Sequence, residues 1–434
     1  MKVSRIAVVA MGASLLFGAC SSAATPAPSA GGTTPAGSTA PSADTSKGTV
    51  KFAIELPLQG SEKAASDPII NGVKLAIAQA GGGAGGYAIS LPQASIYDDA
   101  LNGAHDPQTG AKNMQTIVSD ADVVAVIGPL NSSVALTEIP ISNAAGLFQC
   151  SPANTNPTLT KPPAALDVRK TNPTKINYVR VVTTDDYQGP AAAQYLIQKL
   201  GKKNIYIIDD TETFGKGIAD AFAGEVTKEG ATVAARDGVP KTTTDYTSIL
   251  TNAKAKNPDA IYFGGVTATG GARILKAAVQ VGMGNIPFVG PDGINDGSAA
   301  TKDSFLNLAG DGAKNSLSTL AGIGDYPGRA AFEAAYNAAY GTAPTGYAST
   351  GFACAQVAID ALKRAGATNP ADKAALREAV RAAGSDTTVT YNTIIGKFTF
   401  DANGDTSQKI ISIYAYDATT KDWAFKEQID YAAK

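Results

Sequence analysis

Histidine is almost absent from this chain: His105 is the only one in 434 residues. A multi-histidine metal centre is therefore excluded, and no Gly-x-Ser-x-Gly turn accompanies His105 to suggest a serine hydrolase. Charge is sparse and nearly balanced, with 17% charged residues and a formal net charge of −2, so the basic footprint of a nucleic-acid binder is missing. Beyond the N-terminus no apolar run reaches the roughly 20 residues needed to span a bilayer. The glycine cluster at residues 81–86 closes a helix instead of joining a strand to one, so it is not a dinucleotide fingerprint. Residues 401–405 open like a calcium loop, but Thr406 stands where that loop needs glycine and Ser412 where it needs a bidentate glutamate. A β-turn on Asn403-Gly404 is the better reading. No cofactor, metal or catalytic group is called for by these motifs.

The N-terminus carries the first positive signal. Lys2 and Arg5 precede an apolar run over residues 6–19, which ends in small residues before Cys20; this is the pattern of an export signal. Leu16-Phe17-Gly18-Ala19-Cys20 resembles the lipobox of bacterial lipoproteins, with Phe17 where leucine is usual. Cys20 is thus the expected lipidation site, and two acyl chains there would anchor the protein stably. Residues 20–48 are a Ser/Thr/Pro/Gly/Ala tract with almost no bulky apolar side chain, expected to be a disordered leash of roughly 30 Å reach. Loss of residues 1–19 removes two positive charges and leaves 34 basic against 38 acidic side chains. Of the three cysteines, only Cys150 and Cys354 could then pair. Export permits that disulfide; two buried, unpaired thiols are the plainer expectation.

From Thr49 onward 386 residues remain, enough for two lobes. The hydrophobic pattern alternates between strand and helix. Strands are expected at residues 50–56, 89–97, 123–127 and 146–150, with helices between them. Asp67-Pro68 reads as an N-cap followed by a first-turn proline. The alternation restarts after Val182, with helices at 189–200, 215–229, 246–255 and 271–281 and strands at 204–208, 231–235, 260–264 and 286–290. Three helices and a hairpin-like pair around residues 401–405 complete the tail. The expected fold is α/β, with two doubly wound parallel-sheet lobes joined by a hinge of three crossings near Val182, Leu317 and Phe398. Lobe 1 would be residues 49–182 and 319–397, and lobe 2 residues 183–318 and 398–434.

Ligands of open parallel sheets sit beyond the carboxyl ends of the strands. Three strand-following loops meet that condition: Gly128-Pro129-Leu130-Asn131-Ser132-Ser133, Ser151-Pro152-Ala153-Asn154-Thr155 and Gly290-Pro291-Asp292-Gly293. The first two offer hydroxyls beside a helix start, which suits a carboxylate. The third offers an acid, which suits an ammonium group.

At these residues the chain resembles the solute-binding proteins of branched-chain amino acid ABC transporters, the leucine/isoleucine/valine type of type I periplasmic binding protein. The same order is kept by Asn71-Gly72-Val73-Lys74-Leu75-Ala76, Asp98-Asp99, Asp185 with Gln188-Gly189, Phe214-Gly215, Tyr262-Phe263-Gly264-Gly265 and Phe400-Asp401 with Gly404-Asp405. The resemblance implies that Ser132 and Thr155 hold a ligand carboxylate, while the Ala153 carbonyl and Asp292 take its ammonium. Asp292 stands where the family has the longer glutamate. Asp185 matches a family acid just past the first crossing, and Tyr347 an aromatic position of the side-chain pocket. Phe214 and Val266 replace tyrosines, which makes the cleft more apolar or differently shaped.

The expected function is capture of an amino acid, branched-chain or otherwise apolar in its side chain, between two closing lobes. A monomer would deliver it to the permease subunits of an ABC importer from the outer side of a membrane, facing periplasm or extracellular space. The alternative is a sensing subunit for an amino acid, amide or small carboxylate, without transport; a cell-wall enzyme lacks catalytic residues.

Overall fold

The computed structural model describes residues 42–433; Cys20, the export signal and most of the linker lie outside the described residues. Strand Thr49–Leu56 is apolar on both faces, with Phe52, Ala53, Ile54 and Leu56 all buried, as befits a strand covered by helices on both sides. It pairs in parallel with Tyr87–Ser90, Ile96–Asp98 and Val123–Ile127, and the sheet continues through Phe148–Ser151 to Tyr178–Arg180. A second sheet runs Thr232–Gly238, Asn204–Asp209, Ala260–Gly264, Phe288–Gly290 and Ser316–Leu320, all parallel. Antiparallel strands Ile410–Asp417 and Asp422–Asp430 extend it. Two α/β lobes thus form, as expected from the strand–helix alternation.

Helices close each sheet. Lys63–Gln79 lies against Ala348–Ala367 at unusually short range: a Cβ on Gly72 would fall 2.2 Å from the Ala348 carbonyl oxygen, and one on Gly351 2.8 Å from that of Ile69. Backbones can approach this closely only where both helices lack side chains. Among the described residues no helix is long and apolar enough to cross a membrane.

Several elements differ from expectation. Helix Lys63–Gln79 begins before Asp67 and carries Pro68 inside it; a proline near a helix start forfeits only one amide bond, and Lys63 Nζ donates to Asp67 Oδ1 at 2.5 Å across that first turn. The expected strand at 89–97 is two strands separated by a 3₁₀ turn at Gln93–Ser95, behind Pro92. Helix Asp185–Gln194 starts before Gly189, because Gly189 serves packing: its Cβ would lie 2.8 Å from the Phe222 amide. Leu317 itself lies in strand Ser316–Leu320, opposite Val289 and Ala415, and the chain leaves the second sheet only after Leu320. The Asp401–Asp405 turn closes one isolated bridge, Phe400 to Thr406, instead of a strand pair. Cys150 and Cys354 form a disulfide with Cα atoms 5.7 Å apart, because strand Phe148–Ser151 and helix Ala348–Ala367 pack directly together.

Lobe 1 also buries three carboxyl groups with no ion pair among the described residues: Glu55, Asp99 and Glu138. Asn113 Nδ2 donates to Glu55 Oε1 at 3.1 Å and Gln149 Nε2 to Glu138 Oε2 at 2.7 Å. Burial first, then mutual repulsion, pushes Glu55 and Asp99 well above the usual carboxylate range. Burial alone is the leading cause that raises Glu138 to about 8. The folded state therefore keeps protons that the unfolded chain releases above about pH 4–4.5. The stability they contribute is complete below that pH and is lost as pH rises towards 8. Unfolding midpoints are expected to fall between about pH 5 and pH 8, each such group contributing up to about 1.4 kcal/mol per pH unit. Glu138→Gln should flatten the profile, and a wild-type midpoint that stays level across this range would refute the assignment.

Candidate functional site

The carboxyl ends of both sheets face one pocket, with about 620 Å³ of space between atoms, part of it open to solvent. Its geometry begins at Gly128, where the chain turns from strand Val123–Ile127 with φ +136°. A Cβ there would lie 2.0 Å from the Glu55 carbonyl oxygen, so only glycine fits. The turn delivers Asn131 as the N-cap of helix Ser132–Ala144, but the Asn131 side chain does not cap it. Asn131 Nδ2 donates instead to Glu62 Oε1 at 2.6 Å. The first turn of a 13-residue helix thus presents backbone N–H groups beside Ser132 and Ser133, the arrangement that favours an anion.

The loop after Phe148–Ser151 is held by one hydroxyl. Ser151 Oγ donates to the Pro129 carbonyl at 2.9 Å and accepts from the Ala153 and Asn154 amides at 3.2 and 2.9 Å. This fixes Ala153 and Thr155 on the pocket wall. Thr155 Oγ1 is buried without a hydrogen-bond partner.

From lobe 2, the 3₁₀ turn Asp292–Ile294 follows strand Phe288–Gly290. Asp292 Oδ1 accepts from Gln188 Nε2 at 2.6 Å, and Oδ2 accepts from the Tyr347 hydroxyl. Each oxygen keeps a lone pair for a further donor. Burial raises Asp292 to about 7. Asp185 lies behind it, its amide donating to the Thr155 carbonyl at 2.9 Å; its carboxylate makes no close hydrogen bond, with only the Thr155 hydroxyl and the more distant Arg180 charge favouring its ionised form. Burial and then the Asp292 charge push Asp185 well above the ordinary range. Neither acid is paired with a cation among the described residues. The pair is electrostatically incomplete in the way that an incoming ammonium would correct.

Of the eight residues expected at the site, seven line this pocket: Ser132, Ala153, Thr155, Phe214, Val266, Asp292 and Tyr347. Asp185 stands behind the wall. The sequence reading missed Glu62, Asp210, Glu212 and Asp296, and gave Asn131 and His105 no role here, although all six line the pocket. Glu62 stays hidden in the sequence because it ends a 3₁₀ turn, Gly60–Glu62, that leads into helix Lys63–Gln79 ahead of the expected start at Asp67. Asp210 and Glu212 follow strand Asn204–Asp209, so the strand-end rule applied to those three loops would have found them as well. The pocket consequently joins apolar walls to carboxylates and is not uniformly apolar.

Among the missed residues is a charged bridge between lobes. His105 Nδ1 sits 2.9 Å from Glu62 Oε1, and Nε2 lies 3.9 Å from Glu212 Oε2. Lys241 Nζ donates to the His105 carbonyl at 3.1 Å and pairs with Glu212 at 3.3 Å. Burial opposes the imidazolium, but Glu62 and Glu212 outweigh it and raise His105 to about 10. The hydrogen bond from His105 is the main cause that lowers Glu212 to about 2.

The family model for periplasmic binding proteins matches residues 49–421. The chain belongs to that family. This periplasmic binding protein is 27% identical over 370 residues to a Leu/Ile/Val-binding protein of Rhizobium johnstonii, covering 83% of this chain and 90% of that one. The Leu/Ile/Val-binding protein of Escherichia coli is 29% identical over 272 residues, 62% of this chain and 67% of its own. Among solved structures, the leucine binding protein LivK of Thermotoga maritima superposes with a TM-score of 0.74 at 24% identity, covering 89% of this chain and all of that one. The Streptococcus pneumoniae LivJ protein in complex with isoleucine gives 0.73 at 22% identity, covering 88% and 99%. The relatives are binding proteins, and the family is extracytoplasmic. Among the described residues no cluster is placed to hold a metal ion.

Proposed function

We propose that this protein is the binding component of an ABC importer and captures an α-amino acid between its lobes. The observation that carries this reading is Asp292, an acid without a cationic partner and backed by Asp185 behind the wall, in the same pocket as the uncapped helix start at Ser132 and Ser133. Ser132, the Thr155 hydroxyl and the free amides receive the carboxylate. The Ala153 carbonyl and Asp292 receive the ammonium, with Asp185 adding its field from behind. Phe214, Val266 and Tyr347 enclose the side chain. Leucine, isoleucine and valine, the ligands in the names of the relatives, give the first panel to test. Residues 49–182 and 319–397 are proposed as lobe 1 and residues 183–318 and 398–434 as lobe 2, the 318–319 boundary falling inside strand Ser316–Leu320 of the second sheet. The ligand gains by touching both lobes, because only differential contact with the closed state drives closure.

Calorimetry and thermal shift against free amino acids test the reading. Ligand at about 100 times its Kd should add ~2.7 kcal/mol of stability. Asp292→Asn removes a charge-assisted contact of about 1.5–3 kcal/mol and should weaken binding by roughly 10- to 100-fold. Unchanged affinity in that variant, or no binding by any α-amino acid, refutes the assignment.

Cys20 is proposed as the lipid anchor that keeps a monomeric binder beside its permease subunits. In fractionated cells Cys20→Ser should move from the membrane to the soluble fraction with ligand affinity intact; retention at the membrane would rule the anchor out.

A further inference from the structure

The pocket carries a second set of polar side chains besides Asp292 and Ser132. Glu62, Asp210, Glu212 and Asp296 bring four carboxylates to it, and His105 is its one cationic side chain. That cation is committed, since its two ring nitrogens face Glu62 and Glu212. Lys241, which does not line the pocket, is turned to Glu212 and the His105 carbonyl. Asp210 accepts from the Glu212 amide at 2.9 Å and the Thr269 hydroxyl at 2.7 Å, and Asp296 from the Phe305 amide at 2.8 Å. Neither Asp210 nor Asp296 has a cationic partner. Burial raises Asp210 to about 6 and Asp296 to about 7.

Two further side chains of the same pocket, flanking Ser132 at the helix start, each keep an unpartnered oxygen. Asn131, 6% exposed, gives its amide nitrogen to Glu62 and leaves Oδ1 without a donor; Ser133, 9% exposed, leaves Oγ without any partner. The carboxylates and the Asn131 carbonyl are therefore acceptors short of donors, and the Ser133 hydroxyl can serve either way. A purely aliphatic side chain filling the pocket would strip water from these acceptors and return no hydrogen bond. Sites built to hydrogen-bond a polar group reject analogues that lack it. An acidic side chain fares worse, for it would meet four carboxylates and an imidazolium already engaged. Leu130, Phe214 and Val266 line the pocket too, which suits an alkyl stem leading to a polar tip.

We infer that the amino acid bound here has a side chain ending in a hydrogen-bond-donating nitrogen, received by Asn131, Asp210 and Asp296. The inference rests on the amino-acid reading above and narrows it. Its chemical class spans terminal amides and terminal cations, which share the N–H donors that these acceptors lack.

Calorimetry on the intact protein with matched ligands separates the cases: norleucine and leucine supply the stem alone, glutamine and citrulline add a neutral nitrogen tip, and ornithine, lysine and arginine a charged one. At least one nitrogen-tipped ligand is expected to bind about tenfold or more tighter than norleucine and leucine, the size expected when buried acceptors gain a donor. Tighter binding of glutamine or citrulline identifies the amide; tighter binding of ornithine, lysine or arginine identifies the cation. If leucine, isoleucine, valine or norleucine binds as tightly as any nitrogen-tipped ligand, the inference fails while the amino-acid reading stands. If no α-amino acid binds, both fail. Asp296→Leu should then cost the preferred ligand tenfold or more and leave norleucine unchanged or improved. An equal loss for both ligands would mark Asp296 as structural and overturn its role.

Discussion

Asp405→Ala is expected to cost about 3–5 kcal/mol of folding stability, the penalty of stranding a buried cation. Its partner Arg180 is fully buried and donates from Nε to Asp405 Oδ1 at 2.7 Å. Nη1 donates to the Asn154 and Asn156 carbonyls at 3.2 and 2.8 Å, and Nη2 to the Thr160 hydroxyl. The Arg180 amide also donates to the Gly404 carbonyl at 3.1 Å. Removing Asp405 leaves the guanidinium with neutral acceptors and no counter-charge, whereas removing both charges with apolar replacements restores consistency. The double variant Arg180→Met, Asp405→Leu should therefore recover much of the loss in chemical denaturation. Because Asn154 and Asn156 flank Thr155, the single variant should also loosen the ligand wall and weaken binding. A loss below about 1 kcal/mol, with the double variant no better than the single, would show that the ion pair is not what holds this crossing. The pH dependence has the opposite sign to that of the Glu138 cluster. Burial opposes ionisation of Asp405, but the Arg180 charge prevails and holds it below the ordinary value. Its contribution is present above about pH 4 and is lost as pH falls through the lower, folded-state value.

That pairing bears on what sequence patterns can reveal. The Asp401–Asp405 turn was legible, since Gly404 adopts φ +92° and donates to the Asp401 carbonyl at 3.0 Å. Its partner was not, because 225 residues separate Arg180 from Asp405 and no local period records such a contact. Buried strands such as Val123–Ile127 and Ala260–Gly264 announced themselves as unbroken apolar runs. Strand Ser316–Leu320, three of whose residues are Ser or Thr, did not, because its polar residues are buried by tertiary packing: Ser318 Oγ donates to the Pro291 carbonyl at 3.0 Å and Thr319 Oγ1 accepts from Gln188 Nε2 at 2.8 Å. The site shows the same division. Ser132, Thr155 and Asp292 end strands that the pattern found. His105 comes from a short hairpin, Ala100–Leu101 with Ala104–His105, and only tertiary packing seats it between Glu62 and Glu212. The late helix start drawn from Asp67-Pro68 concealed Glu62 and Ala65 for a different reason: a proline tolerated in the second turn of helix Lys63–Gln79 looks, in sequence, like one that begins it.

Loss of the Cys150–Cys354 disulfide is the other large effect, at about 2–5 kcal/mol. The bond joins residues 204 apart, and the loop it closes contains the entire parallel part of the second sheet. Lobe 1 is assembled from chain before and after that excursion, so the unfolded state of the unlinked protein gains all the freedom of a long loop. In the folded state both sulfurs are buried between strand Phe148–Ser151 and helix Ala348–Ala367. The paired variant Cys150→Ala, Cys354→Ala avoids introducing a free thiol and should unfold at lower denaturant concentration and lower temperature. Its ligand affinity at 25 °C should change far less than its stability, because the Ser151 hydroxyl that fixes Ala153 and Asn154 is anchored on the Pro129 carbonyl and not on the sulfur. A stability loss under about 1 kcal/mol would mean that the close glycine-lined contact of Lys63–Gln79 with Ala348–Ala367 already confines the returning helix. Collapse of ligand binding at full stability would instead place the disulfide in the mechanics of the cleft.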